Sequence, residues 1–143
     1  MWTRDRSVTL SVWCTLAMIV LMALTAVTLP FALQYGWTAG GATALLCLYY
    51  CFCVPALVAL VSTYRILLNI RRNVVFDASN VRLLRVISWA AMAGGAVCLA
   101  GTPVSLILFA VGLVCGFVGV IVRVVKNLIA AAADLKAEND LTI

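Results

Sequence analysis

Four long apolar stretches, separated by short polar ones, set the pattern of this chain. The first runs from Val8 to Leu29, behind Arg4 and Arg6. A helix crossing about 30 Å of hydrocarbon takes roughly 20 residues, so this stretch makes one span, which Pro30 closes near the far interface. The segment from Phe31 to Gly41 holds Gly36, Trp37, Gly40 and Gly41 and no charge. It reads as a short external connection with Tyr35 and Trp37 as interfacial anchors. The second stretch, about 43–63, ends at Tyr64 and Arg65. Pro55 inside it predicts a bend near Cys51. A tolerated membrane proline outweighs a functional hinge here.

From Arg65 to Arg85 the chain turns basic and amphipathic. Ile66, Leu67 and Ile70 keep a helical rhythm until Arg71 and Arg72 close it. Asp77, followed by Ala78-Ser79-Asn80, is the expected N-cap of a new helix with Leu83, Leu84 and Ile87 on one face. Val86 to Val122 carries no charge over about 37 residues, which as one helix would measure roughly 55 Å, too long for a single crossing. Gly101-Thr102-Pro103 divides it, with Gly101 ending one helix, Thr102 capping the next and Pro103 at its first turn. The third and fourth spans are then 84–100 and 104–122, with Arg85 snorkelling. Beyond Val122, the spacing of Val125, Leu128, Ala132 and Leu135 predicts that the helix continues past the membrane. Asn139 to Ile143 is expected to break into a short extended end.

Composition strengthens this picture. Hydrophobic residues make up 66% of the 143 and charged residues only 10%, against roughly a quarter charged in soluble proteins. All ten basic residues fall in three clusters: Arg4 and Arg6; Arg65, Arg71, Arg72, Arg82 and Arg85; and Arg123, Lys126 and Lys136. Only four spans with both termini inside place every one of them on the cytoplasmic face, where Lys and Arg are retained. The expected architecture is an all-α membrane protein: a four-transmembrane-helix bundle with a cytoplasmic hairpin (64–83) and a C-terminal helical tail (123–143). The stretch 8–29 is too long for a signal peptide's apolar core and lacks a small-residue cleavage motif, so it is a retained span. The net charge of +5 suits an anionic inner leaflet, and the absence of a basic face elsewhere argues against nucleic acid.

Chemistry is sparse. There is no histidine, which removes imidazole catalysis. The acids Asp5, Asp77, Asp134, Glu138 and Asp140 lie in the termini or the inner loop, so intramembrane proton relays lack their parts. The small multidrug resistance transporters, which depend on a glutamate in the first span, are disfavoured for the same reason. No nucleophile has a base beside it, so no enzyme is predicted, and no cofactor. Cys47, Cys51 and Cys53 are the densest soft-ligand cluster. Burial in hydrocarbon disfavours the thiolate a metal needs, which leaves packing as their role. Gly94 and Gly95 in the third span, with Gly112, Gly116 and Gly119 in the fourth, permit close helix approach. Packing within one bundle outweighs a homodimer through Gly112 and Gly116. Tyr49, Tyr50 and Phe52 line a cavity or, as such clusters more often do, face lipid or core. Arg71, Arg72, Arg82 and Arg85 orient the chain and are candidates for contact with lipid phosphates or an acidic partner.

The run Tyr64-Arg65-Ile66-Leu67-Leu68-Asn69-Ile70, continuing through Val75-Phe76-Asp77 to Asn80-Val81-Arg82-Leu83-Leu84-Arg85, carries a resemblance. With the ending Glu138-Asn139-Asp140-Leu141-Thr142-Ile143, it resembles the bacterial membrane proteins of domain-of-unknown-function family 2975. The likeness covers most of the chain after Thr43, and the first span only as an apolar helix. It implies four spans in a bacterial cytoplasmic membrane and no established activity. It also implies a partner, since members are often encoded beside a small helix-turn-helix regulator. In that light Glu138, Asn139 and Asp140 are expected to fold back on Arg71, Arg72 or Arg82, or to meet a soluble partner there. Two functional readings stand: an interaction or regulatory membrane protein, or a small transporter, channel or immunity-type protein holding an apolar or peptide ligand. A polar-lined midplane cavity would mark the transporter, and a filled interior the scaffold.

Overall fold

The computed structural model describes residues 4–33, 39–72 and 78–142. Four helices account for nearly all of them: α1 (Arg4–Leu33), α2 (Ala39–Arg71), α3 (Ala78–Ala100) and α4 (Ile107–Leu141). Each is long and apolar enough to cross a membrane. At 35 residues, α4 extends about 52 Å, well beyond a hydrocarbon core of about 30 Å.

Hydroxyls inside the apolar stretches do not break these helices because they bond back to their own backbone. Ser11, Thr15, Thr25, Thr28 and Thr63 each donate to a carbonyl three or four residues earlier. In a medium without water this satisfies the hydroxyl locally.

The helices α2 and α3 run antiparallel, as do α3 and α4: Phe52 and Asn69 meet Gly94 and Asn80, and Ser88 and Gly95 meet Gly119 and Gly112. Among the described residues α1 packs on α2, α2 on α3 and α3 on α4, with no backbone approach between any other pair. The four helices thus pack in chain order, and α1 and α4 face a shared cleft rather than meeting backbone to backbone. Packing is inverted relative to a water-soluble core. Large apolar side chains such as Trp13 (70% exposed), Leu24 and Phe117 face outward. Apart from Leu33, the buried positions are small or polar, among them Ser62, Asn80, Ser88, Ala90 and Cys98. Small residues let helix backbones meet closely where lipid, rather than water, covers the outside.

Several expected boundaries move. Pro30 lies inside α1, which continues to Leu33. The connection after it shortens accordingly, since α2 already begins at Ala39. Tyr35 and Trp37, and the expected cap Asp77, lie outside the described residues. Pro55 sits within an unbroken α2. Gly101 ends α3 as expected, but Thr102 does not cap α4: its hydroxyl donates to the carbonyl of Leu99 at 2.7 Å and so finishes α3 instead. Pro103 belongs to a turn closed on the Gly101 carbonyl by the Val104 and Ser105 amides. The fourth helix therefore starts at Ile107, with Leu106 as a cap that offers no side-chain bond. At the far end the tail stays helical to Leu141, because both the amide and the hydroxyl of Thr142 bond back, to Asn139 and Glu138.

Candidate functional site

Each helix pair carries its own polar tie. Between α1 and α2, Tyr49 and Tyr50 stand edge to face, 5.8 Å apart. Their hydroxyls donate to the carbonyls of Met22 and Ala26 at 3.2 and 3.0 Å. Between α2 and α3, the Asn69 amide donates to the side-chain oxygen of Asn80 at 2.7 Å. Between α3 and α4, the Ser88 hydroxyl donates to the Gly119 carbonyl at 2.8 Å. Sequence reasoning missed these roles. The signal available was a lone polar residue in or beside an apolar span, which in lipid must find a partner.

The glycines divide by what they touch. A methyl group on Gly112 would stand 2.8 Å from Leu99 and 3.0 Å from the Gly95 carbonyl, and one on Gly95 3.0 Å from the Gly112 carbonyl. Gly119 is hemmed in by Met92 and the Ser88 carbonyl. These three form the α3–α4 seam, so Gly112 faces its own chain. Gly94 instead receives the ring of Phe52 from α2, with Pro55 nearby. A methyl group on Gly116 would meet nothing within 4 Å. Outside the seam, the Arg123 guanidinium lies 5.4 Å from the Trp89 ring centre, a cation–π contact between α4 and α3.

Toward the end remote from the arginines, all four helices contribute to one cleft of about 330 Å³. Leu33, Leu45, Tyr49, Phe52, Cys98 and Leu108 are among its lining residues, and the lining is almost wholly apolar. Tyr49 and Phe52 take the cavity-lining role considered for them, whereas Tyr50 is exposed. Cys47 and Cys51 are exposed and Cys53 half-buried. Among the described residues no three metal-binding side chains gather.

The opposite end is basic. A groove of about 530 Å³ between α2 and α3 is lined by Arg65, Arg72 and Arg82 with Asn69, Leu68 and Leu83. Of the expected arginines, Arg72 and Arg82 meet here. Arg71 is not part of the lining, and Arg85 stands higher, beside Trp89 and Arg123. Arg65 joins them, an addition that its seven-residue spacing from Arg72 could have signalled. Glu138, Asn139 and Asp140 are exposed on the last turns of α4, a helix that approaches neither α1 nor α2. The structure does not bring them to Arg71 or Arg72, nor to Arg82, which lies six residues from the Ser88–Gly119 bond while Glu138 lies nineteen beyond it.

Four apolar helices with outward-facing aliphatic surface, their inner hydroxyls bonded to backbone carbonyls, are the features of a small multi-pass membrane protein. Within that class, the chain belongs to the family described as protein of unknown function DUF2975, which it matches over residues 6–143. The match takes in the first helix as well as the loop and tail that carry the resemblance. No curated protein and no solved structure matches the chain.

Proposed function

We propose that the protein is a non-enzymatic interaction protein of the bacterial cytoplasmic membrane. Its spans hold a helical arm, residues 123–141, on the cytoplasmic side, where it captures a soluble partner. The observation behind this reading is the arm itself. It continues α4 without a break to Leu141, and Leu128 and Leu135 stay 65% and 64% exposed at heptad spacing. An amphipathic helix with an uncovered apolar stripe is what helix-in-groove recognition uses. The partner class suggested by the family is a small helix-turn-helix regulator, tethered to the membrane when bound. Copurification from native membranes tests this. Wild-type chain should bring down a soluble protein that a Leu128→Glu/Leu135→Glu variant loses. Equal capture by both would end the reading.

A second reading is favoured by the cleft shared by all four helices. At about 330 Å³ it falls at the small end of ligand pockets, and its apolar lining suits an apolar ligand rather than an ion or a polar solute. Cleft variants such as Leu48→Trp would then alter function while leaving partner capture intact.

A further inference from the structure

The basic groove does not stop at the arginines. On α2, Cys51, Val54 and Val58 line a second furrow of about 540 Å³, bordered on α3 by Val86, Ala93 and Val97. Val86 lines both grooves. Residues three, four or seven apart share a helix face. Cys51, Val54, Val58, Arg65, Leu68 and Arg72 form one such row on α2, and Arg82, Val86, Ala93 and Val97 form one on α3. The two grooves are therefore one furrow, with Arg65, Arg72 and Arg82 at one end, Arg85 beside Val86 where the two halves meet, and apolar side chains along the rest. From Arg65 to Cys51 it follows about 21 Å of helix axis, more than the ~15 Å of hydrocarbon in one leaflet.

We propose that this furrow seats one anionic phospholipid, its phosphate held by Arg65, Arg72 and Arg82 and one acyl chain laid between α2 and α3. Retention of arginine on one membrane side accounts for the end of the molecule they occupy. It does not account for three of them on the walls of one crevice. Among the described residues no acidic side chain lines that crevice, and its three guanidinium groups complement a phosphate. Guanidinium groups present forked donors that match phosphate oxygens. The walls are pinned beneath the charges by the Asn69–Asn80 bond, whose acceptor residue is only 3% exposed. A pre-set spacing lowers the ordering cost of binding. A free anion would use the arginines and leave the apolar length idle, whereas a lipid uses both.

Native mass spectrometry of the full chain, released from detergent micelles doped with phosphatidylglycerol or phosphatidylcholine, tests the site. The wild type should retain one phosphatidylglycerol and little phosphatidylcholine. R65Q/R72Q/R82Q should lose about tenfold to a hundredfold in retention, on roughly one Coulombic contact per arginine. R6Q/R71Q/K136Q, with the same net charge, should retain the lipid. All six positions are exposed, and circular dichroism of each variant verifies folding. Ala93→Trp, at an exposed position in the apolar half, should also weaken retention. Equal loss in the two charge triples, equal retention of both lipids, or full retention by Ala93→Trp would each overturn the proposal. So would displacement of the lipid by excess inorganic phosphate, which would make the groove a site for free anions.

Discussion

The hydroxyl of Tyr50 donates a 3.0 Å hydrogen bond to the carbonyl of Ala26, the carbonyl that Pro30 leaves without a helical donor. A proline inside a helix has no amide to offer the residue four positions earlier, and in lipid no water can take its place. Here the neighbouring helix supplies the missing donor. The proline and the tyrosine are thus coupled, although they stand on different helices and twenty residues apart.

That coupling is measurable. Tyr50→Phe should destabilise the fold in detergent by about 1 kcal/mol. In a Pro30→Ala background, where residue 30 recovers its amide, the same change should cost less than half as much. A double-mutant cycle on thermal or denaturant unfolding reads the difference, and additive effects would contradict the pairing.

The α3–α4 seam separates two glycines that look alike in sequence. Gly112→Ala forces a methyl group against Leu99 and the Gly95 carbonyl and should cost about 1–3 kcal/mol as an overpacked contact. Gly116→Ala meets open space and should change stability by no more than about 0.5 kcal/mol. Unfolding curves of the two variants side by side decide this.

Ser88 is 2% exposed, and its hydroxyl is the polar tie across that same seam. Ser88→Ala should cost about 0.6 kcal/mol, and no more than about 1.7, the range for interhelical side-chain bonds in membrane proteins. Ser88→Val, which adds bulk as well, should cost more. A larger loss in the alanine variant than in the valine variant would mean that the seam has room for the added methyl groups, against the tight packing seen there.

Because α4 approaches neither α1 nor α2, removal of residues after Ala137 should leave the melting transition within about 0.5 kcal/mol of wild type. The same truncation should weaken capture of a soluble partner if the arm serves as proposed. A marked drop in stability would instead mean that the last turns brace the helices.

An alkaline phosphatase fusion after Ile143 should be inactive and a cytoplasmic fluorescent fusion bright, as the arginine and lysine distribution predicts. Activity of the phosphatase would invert the topology.

The residues that could be read in sequence were those whose effect is local. Uninterrupted apolar runs and the charges at their ends were enough to place α1 to α4, and Gly101 was legible as the end of α3. Where a residue has two local options, position alone misled. Thr102 could cap a helix ahead of it or finish the one behind it, and only the turn onto the Gly101 carbonyl selects the second. Thr142 likewise closes the tail helix by bonding backward, although Asn139 and Asp140 suggested a break.

Span number, apolar exterior and the gathering of positive charge at one end follow from the sequence alone, because hydrocarbon penalises charge wherever the chain goes. Which helices touch, and through what, is a matter of tertiary structure. Gly95 meets the backbones of Gly112 and Gly116 while the side-chain position of Gly116 points to open space, Tyr50 answers Pro30, and Arg65, Arg72 and Arg82 come to share a groove. Helical periodicity assigns each residue a face, but the rotation and offset of one helix against the next determine what that face meets. Those two quantities emerge only when all the side chains pack together.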